Sequence, residues 1–263
     1  MYLNMEDKLQ RLVEGIKKAD YRDCDKDHMA RLAGERINEL QQRGVYCIDR
    51  FIQKLLDRAD DKEDYLDILM EGRFAIILAR NNFSDIEIEY TEQGPDLKAS
   101  WNKKIVYFEV TRKRPSEDDK LFSRPGAGAY SIKRAKSEDI IGKIQGKLRQ
   151  LELGEINIVV LWSDTPAWNQ HVLGEAHKYI IQEINDDPDK YNNLSGVLFT
   201  NGGGVNMATL KQFYLFKNDK ASEPLGTRLT SKLKSLHEQD LKQLKKEHEE
   251  LAAAVKCLLK AKQ

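Results

Sequence analysis

Two short stretches, Gly94-Pro95-Asp96-Leu97 and Phe108-Glu109-Val110-Thr111, decide how this chain reads. Twelve residues separate Asp96 from Glu109. Asp96 opens a short strand candidate that runs to Trp101. Glu109 lies late in Lys104-Ile-Val-Tyr-Phe-Glu-Val-Thr111, whose β-branched and aromatic content marks a buried strand. Adjacent strands bring the two carboxylates within a few ångströms of each other. Such a pair suits a hard divalent cation, which polarises a phosphate and lowers the pKa of a bound water. A lone acid in an apolar strand also needs a partner, because an unpaired buried carboxylate is expensive. A metal, or a cation such as Lys113, would satisfy Glu109. The plainer alternative is that Glu109 points to solvent on an edge strand. A second Pro-Asp pair, Pro188-Asp189, serves as an internal control: it sits in a polar turn, and the strand after it carries no acid.

Working outward, the first 60 residues read as helices from apolar residues recurring every three or four positions. Leu9, Leu12, Val13 and Ile16 form one such run. Met29, Leu32, Ala33, Ile37 and Leu40 form another that stops before Gly44. A third covers Ile48 to Leu56, and a fourth Glu63 to Asn81. Ile86-Glu-Ile-Glu-Tyr90 then alternates with period two, the mark of a strand with one wet face. After the Lys104–Thr111 strand, residues 113–130 read as a loop, with Ser123-Arg-Pro-Gly-Ala-Gly as breakers. A helix follows over 133–152, then a central strand at Ile156–Trp162 and a helix between Trp168 and Asn185. Strands at 195–200 and 212–216 flank the turn signal Asn201-Gly-Gly-Gly204. From about Thr227 a long helix is expected, with Leu241, Leu244, His248, Leu251, Val255 and Leu258 at alternating spacings of three and four. The pattern predicts an α/β fold: a mixed central sheet flanked by helices, with added N-terminal helices and a long C-terminal helix. Its regions are 1–61 (helical), 62–218 (core) and 219–263 (C-terminal helix).

The chain of 263 residues has 43 basic and 43 acidic side chains, a formal net charge of zero. That argues against a polycation that coats nucleic acid by bulk charge. The zero is a sum of unlike parts. Residues 1–97 carry −7, residues 98–150 carry +8, and the remainder carries −1. The basic block contains Glu109 and begins beside Asp96, as a phosphate-facing surface would. No apolar run approaches the ~20 residues of a membrane span, and the start lacks a signal-peptide layout. Three scattered cysteines give no disulfide framework and no metal knuckle, so a reducing cytoplasm is expected.

Other familiar sites are absent. There is no phosphate loop, no dinucleotide fingerprint and no nucleophile elbow. The histidines at 28, 171, 177, 237 and 248 show no paired metal spacing and read as surface or packing residues.

Over roughly residues 63–165 the chain resembles the PD-(D/E)xK superfamily of restriction-endonuclease-like phosphodiesterases. A helix carrying Glu71 precedes the first strand. Gly94-Pro95-Asp96 matches the first motif, and Glu109-Val110-Thr111 falls where (D/E)xK belongs. The next helix carries Lys143, Lys147 and Gln150, which share one helical line beside the apolar stripe. The resemblance implies an αβββαβ core and a nuclease using Mg²⁺ or Mn²⁺. It implies Asp96 and Glu109 as metal ligands, the Val110 carbonyl as a further ligand, and Glu71 as a third acid. It departs from the family at Thr111, where the lysine should be. Lys113, Lys143 or Lys147 would then supply the positive charge, and Thr111 or Gln150 would position water. Lys113, Arg114, Lys120 and Arg124 are expected to touch backbone phosphates.

Two other readings stand beside this one. The first is a module that keeps the fold and binds nucleic acid without cutting. The second is a helical interaction protein that dimerises through the C-terminal seam.

Overall fold

The computed structural model describes residues 5–18, 23–89, 91, 94–114, 137–163, 170–200, 213–236, 238, 240, 242 and 246. Four helices come first: α1 (Met5–Lys18), α2 (Asp23–Gln42), α3 (Ile48–Asp57) and α4 (Lys62–Arg80). Then follow β1 (Ser84–Ile88), β2 (Leu97–Trp101) and β3 (Lys104–Lys113). The remainder is α5 (Ser137–Lys147), β4 (Ile156–Ser163), α6 (Gln170–Asp186), β5 (Gly196–Thr200) and β6 (Phe213–Lys217), followed by helix α7 over 227–236.

The six strands form one sheet in the order β1-β2-β3-β4-β5-β6. β1, β2 and β3 are antiparallel neighbours; β3, β4 and β5 are parallel; β6 returns antiparallel to β5. The β2–β3 hairpin turns on Asn102 and Lys103, both at positive φ (48° and 65°), as a two-residue turn matched to strand twist requires. The parallel links β3-α5-β4 and β4-α6-β5 step the same way across the sheet, so right-handed crossovers put α5 and α6 on one face. There Ile140, Ile144, Val159, Leu161, Ala176 and Ile180 share a core. The opposite face carries the larger core, with residues from α1 to α4, the alternate positions Val106, Phe108 and Val110 of β3, and Leu229, Leu233 and Leu236 of α7. With both faces covered, all eight residues of β4 are buried.

Helix α4 runs through that larger core. Asp61 caps it, its side chain accepting from the N–H groups of Glu63 and Asp64 at 2.8 and 3.0 Å. Its run Phe74–Leu78 is apolar and buried throughout, and Phe74 meets Phe108 edge-on at 5.4 Å. At its far end Arg73 and Arg80 hold the buried Asp240 at 2.8 and 3.1 Å. No described helix is long and apolar enough to cross a membrane.

Several element bounds differ from the sequence reading. β1 ends at Ile88, because Glu89 takes a left-handed backbone (φ 53°) that breaks the strand. Of the helix expected over 133–152, residues 133–136 lie outside the described residues, and Ser137–Lys147 is α-helical. It tightens into a 3-10 turn over Leu148–Gln150, which takes Gln150 off the helical line of Lys143 and Lys147. Of the loop expected over 113–130, Lys113 instead ends β3, and the part from 115 on lies outside the described residues, as do the Asn201–Gly204 turn and the proposed C-terminal seam.

Candidate metal centre

The site begins as a row across three strands. Leu97 pairs with both Ile88 and Phe108. The next positions along the same registers are Glu89, Asp96 and Glu109. The Glu89 N–H donates to the Asp96 carbonyl at 2.8 Å. The Val110 N–H donates to Asp96 Oδ2 at 2.8 Å, which fixes the carboxylate against β3. Glu109 is fully buried in the middle of the sheet between β2 and β4. It therefore does not face solvent on an edge strand, as the plainer alternative had it.

Helices α3 and α4 supply the other wall. Glu71 of α4 is buried, and one carboxylate oxygen from each of Glu71, Glu89 and Asp96 lies within 4.8 Å of the other two. Lys54 of α3 reaches all three. Its Nζ is 2.9 Å from Glu71 Oε2, 2.6 Å from Glu89 Oε1 and 3.4 Å from Asp96 Oδ1. Two local features aim it there. Tyr46 bridges the edge of β1, donating to the Ile86 carbonyl at 2.8 Å and accepting from the Ile88 N–H at 3.2 Å, and α3 starts directly after it. Gly72 then lets α3 approach α4 closely, since a Cβ at that position would lie 2.7 Å from the Phe51 ring. Phe51 is one turn from Lys54, so this close approach sets the height of Lys54 over Glu71.

A second ammonium closes the other side. Lys147 of α5 lies 2.5 Å from Glu109 Oε1. Glu109 Oε2 is buried and has no hydrogen-bond partner among the described residues.

Electrostatics follow from this crowding. Burial, then the charge of Asp96, pushes the Glu109 carboxyl up to about 8, against the pull of Lys147. Burial and then Asp96 likewise raise Glu71 well above the ordinary carboxylate range, with Lys54 opposing. Burial also raises Asp96; Lys54 opposes this and Glu89 adds to it. The lysines move the other way. Burial disfavours the Lys54 ammonium, but Glu71, Asp96 and Glu89 outweigh it and raise its pKa. Burial also opposes the Lys147 ammonium, and Glu109 and Asp96 outweigh it in the same way. Four carboxyl groups thus face two ammonium groups; were all four ionised, negative charge would exceed positive by two, and Glu71 and Glu109 hold protons instead.

The residues expected from sequence distribute as follows. Glu71 and Asp96 come together within the 4.8 Å set, while Glu109 stands beside it, paired with Lys147 and within electrostatic reach of Asp96. Val110 contributes its N–H to Asp96, while its side chain packs in the core. Thr111 and Lys113 share the Glu109 face of β3, but Lys113 pairs with Asp139 of α5 at 3.8 Å rather than with Glu109. Four residues of extended strand, roughly 13 Å, separate Lys113 from Glu109. Arg114, expected on phosphate, is bound to Asp64 and Asp67 of α4. Lys143 is half-buried, and burial lowers its pKa; it makes no ion pair among the described residues. Gln150 is half-buried in the 3-10 turn. Pro188-Asp189 lies exposed in a turn, as expected of the control. His177 packs on Phe216 and bonds the Tyr214 hydroxyl at 2.8 Å, a packing role.

Glu89 and Lys54 are the residues that sequence reasoning missed. Glu89 had a signal: it continues the alternation of Ile86-Glu-Ile-Glu, which places it on the wet face of the strand. Lys54 had none, being an ordinary helix lysine 42 positions before Asp96.

Chemically, the cluster offers hard oxygen donors in a partly enclosed place, flanked by two ammonium groups. Hard oxygen donors of this kind are the ligand type that a divalent cation takes. No family model matches the chain, and neither the curated proteins nor the solved structures contain a significant match.

Proposed function

We propose that the chain is a metal-dependent phosphodiesterase acting on DNA, built on a restriction-endonuclease-like core. One observation carries the reading. Four carboxylates share a buried site with only two ammonium groups, and Glu109 Oε2 is left without a partner beside Asp96. A divalent cation would take the place of the protons that burial forces onto these carboxyls and stabilise their ionised form. The element order α4-β1-β2-β3-α5-β4 supports the αβββαβ core that the resemblance implies.

Asp96 and Glu109, with Glu71, would hold Mg²⁺ or Mn²⁺; Glu89 extends this set, and the Val110 carbonyl remains a candidate. The ion would supply Lewis acidity toward the phosphate and acidify a water. The remaining work falls to the chain's own groups. Glu109 anchors Lys147, which takes the charge role that Thr111 lacks. Thr111, on the same strand face, is the hydroxyl available to position water. Asp96 is held by the Val110 N–H, so its free oxygen keeps a fixed direction.

A second reading has its own support. Lys54 already pairs with three of the acids, which suits a nucleic-acid-binding module that needs no ion. Incubating supercoiled plasmid and single-stranded DNA with the protein and Mg²⁺ or Mn²⁺ separates the two. The nuclease reading expects cleavage that stops in EDTA and in Asp96→Ala and Glu109→Ala. Activity that survives both substitutions overturns the site. Salt-dependent binding without cleavage in either metal favours the module.

A further inference from the structure

Lys54 stands where a cation would stand. Its ammonium contacts one oxygen each of Glu71, Glu89 and Asp96, the same three acids whose ligand atoms lie within 4.8 Å of one another. That spacing matches opposed oxygen ligands around an ion at ~2.0–2.6 Å. An ammonium and a divalent ion cannot both occupy it, because they would compete for the same oxygens at contact distance. The side chain also has somewhere else to go. It is one-third exposed and lines an open cleft of about 660 Å³ with Arg50, Gln53, Asp57, Arg58 and Glu89. Arg50 and Lys54 lie one turn apart on α3, roughly 6 Å from each other, and Arg58 follows as the cap of its C-terminus. Arg50 and Arg58 are exposed.

We infer that Lys54 and a divalent cation are alternative occupants of the Glu71–Glu89–Asp96 seat. When the ion enters, the Lys54 ammonium turns out into the α3 cleft and joins Arg50 and Arg58 in binding a phosphodiester backbone. Lys54 is therefore a positioning group that couples ion binding to substrate binding, and α3 is the wall along which the substrate lies. The lysine stem has four rotatable carbons, so the exchange needs no backbone movement. The inference rests on reading the carboxylates as a cation seat.

The test is Lys54→Met, a change that keeps the stem and removes the charge. Mn²⁺ binding is followed by calorimetry, and binding of a fluorescent single-stranded oligonucleotide by anisotropy in Ca²⁺. Without its competitor the seat is expected to bind Mn²⁺ at least about tenfold more tightly. Oligonucleotide affinity falls about tenfold, and its log–log salt slope drops by ~0.7, one phosphate contact. Mn²⁺ affinity that is unchanged or weaker overturns the inference. Wild-type protein and Asp96→Asn locate any failure. If the wild type binds Mn²⁺, Asp96→Asn does not, and Lys54→Met matches the wild type, the seat stands and the exchange falls. If the wild type binds no Mn²⁺, the seat itself falls. Should Lys54→Met be unstable alone, Mn²⁺ must raise its melting temperature by more than it raises that of the wild type. An equal or smaller rise also overturns the exchange.

Discussion

Replacing Glu109 with Gln tests the burial argument at its most exposed point. The carboxyl is fully buried and pushed up to about 8 from an ordinary 4.5. Between those values the folded chain holds a proton that the unfolded chain releases. Stability from this group is therefore complete below about 4.5 and is lost as pH rises through about 8. At ~1.4 kcal/mol per pH unit, that interval amounts to roughly 5 kcal/mol. For a chain of this length each kcal/mol moves the melting temperature by roughly 2–4 °C. The carboxamide of Gln imitates the protonated acid and cannot ionise. Metal-free wild-type protein is thus expected to lose on the order of 10 °C more than Glu109→Gln between pH 5 and 9, measured by calorimetry in EDTA. Adding Mn²⁺ at pH 8.5 should restore most of the wild-type loss and leave the variant unmoved. Parallel curves for the two proteins would show that Glu109 carries no such burden, and the case for a missing cation would lose its main support.

Asp240→Asn removes the charge that holds Arg73 and Arg80 at the far end of α4. Urea unfolding should show a loss of about 3 kcal/mol, and a loss below about 1 would mean the buried pair is not structural. Gly72→Ala puts a methyl 2.7 Å from the Phe51 ring and forces α3 away from α4. It is expected to cost about 1–3 kcal/mol; an unchanged melting temperature would show that the contact does not set the height of α3.

The sheet was legible because its strands differ in how they are covered. Ile86 and Ile88 alternate with exposed or half-buried neighbours, while every residue of Ile156–Trp162 is buried. The Asp96–Glu109 pairing followed from two adjacent strands and one hairpin. Its partners did not follow. Lys113 was near Glu109 in sequence, but an extended chain carries it away along the strand. Lys147 arrives because the β3-α5-β4 crossover lays α5 over that face. Lys54 belongs to a helix whose position depends on Tyr46 at the sheet edge and on Gly72 beneath Phe51. Those are contacts between distant segments, and no local pattern announces them. Gln150 was misplaced for a simpler reason: periodicity does not show where a helix tightens into a 3-10 turn.

The central claim is that these carboxylates hold a divalent cation. Crystals grown in Mn²⁺ and measured at the manganese absorption edge test it most directly. The account predicts an anomalous peak within about 3 Å of an Asp96 oxygen and of at least one oxygen of Glu109 or Glu71. A map at full Mn²⁺ saturation with no peak beside Asp96, and with Lys54 still seated between Glu71 and Glu89, would contradict it.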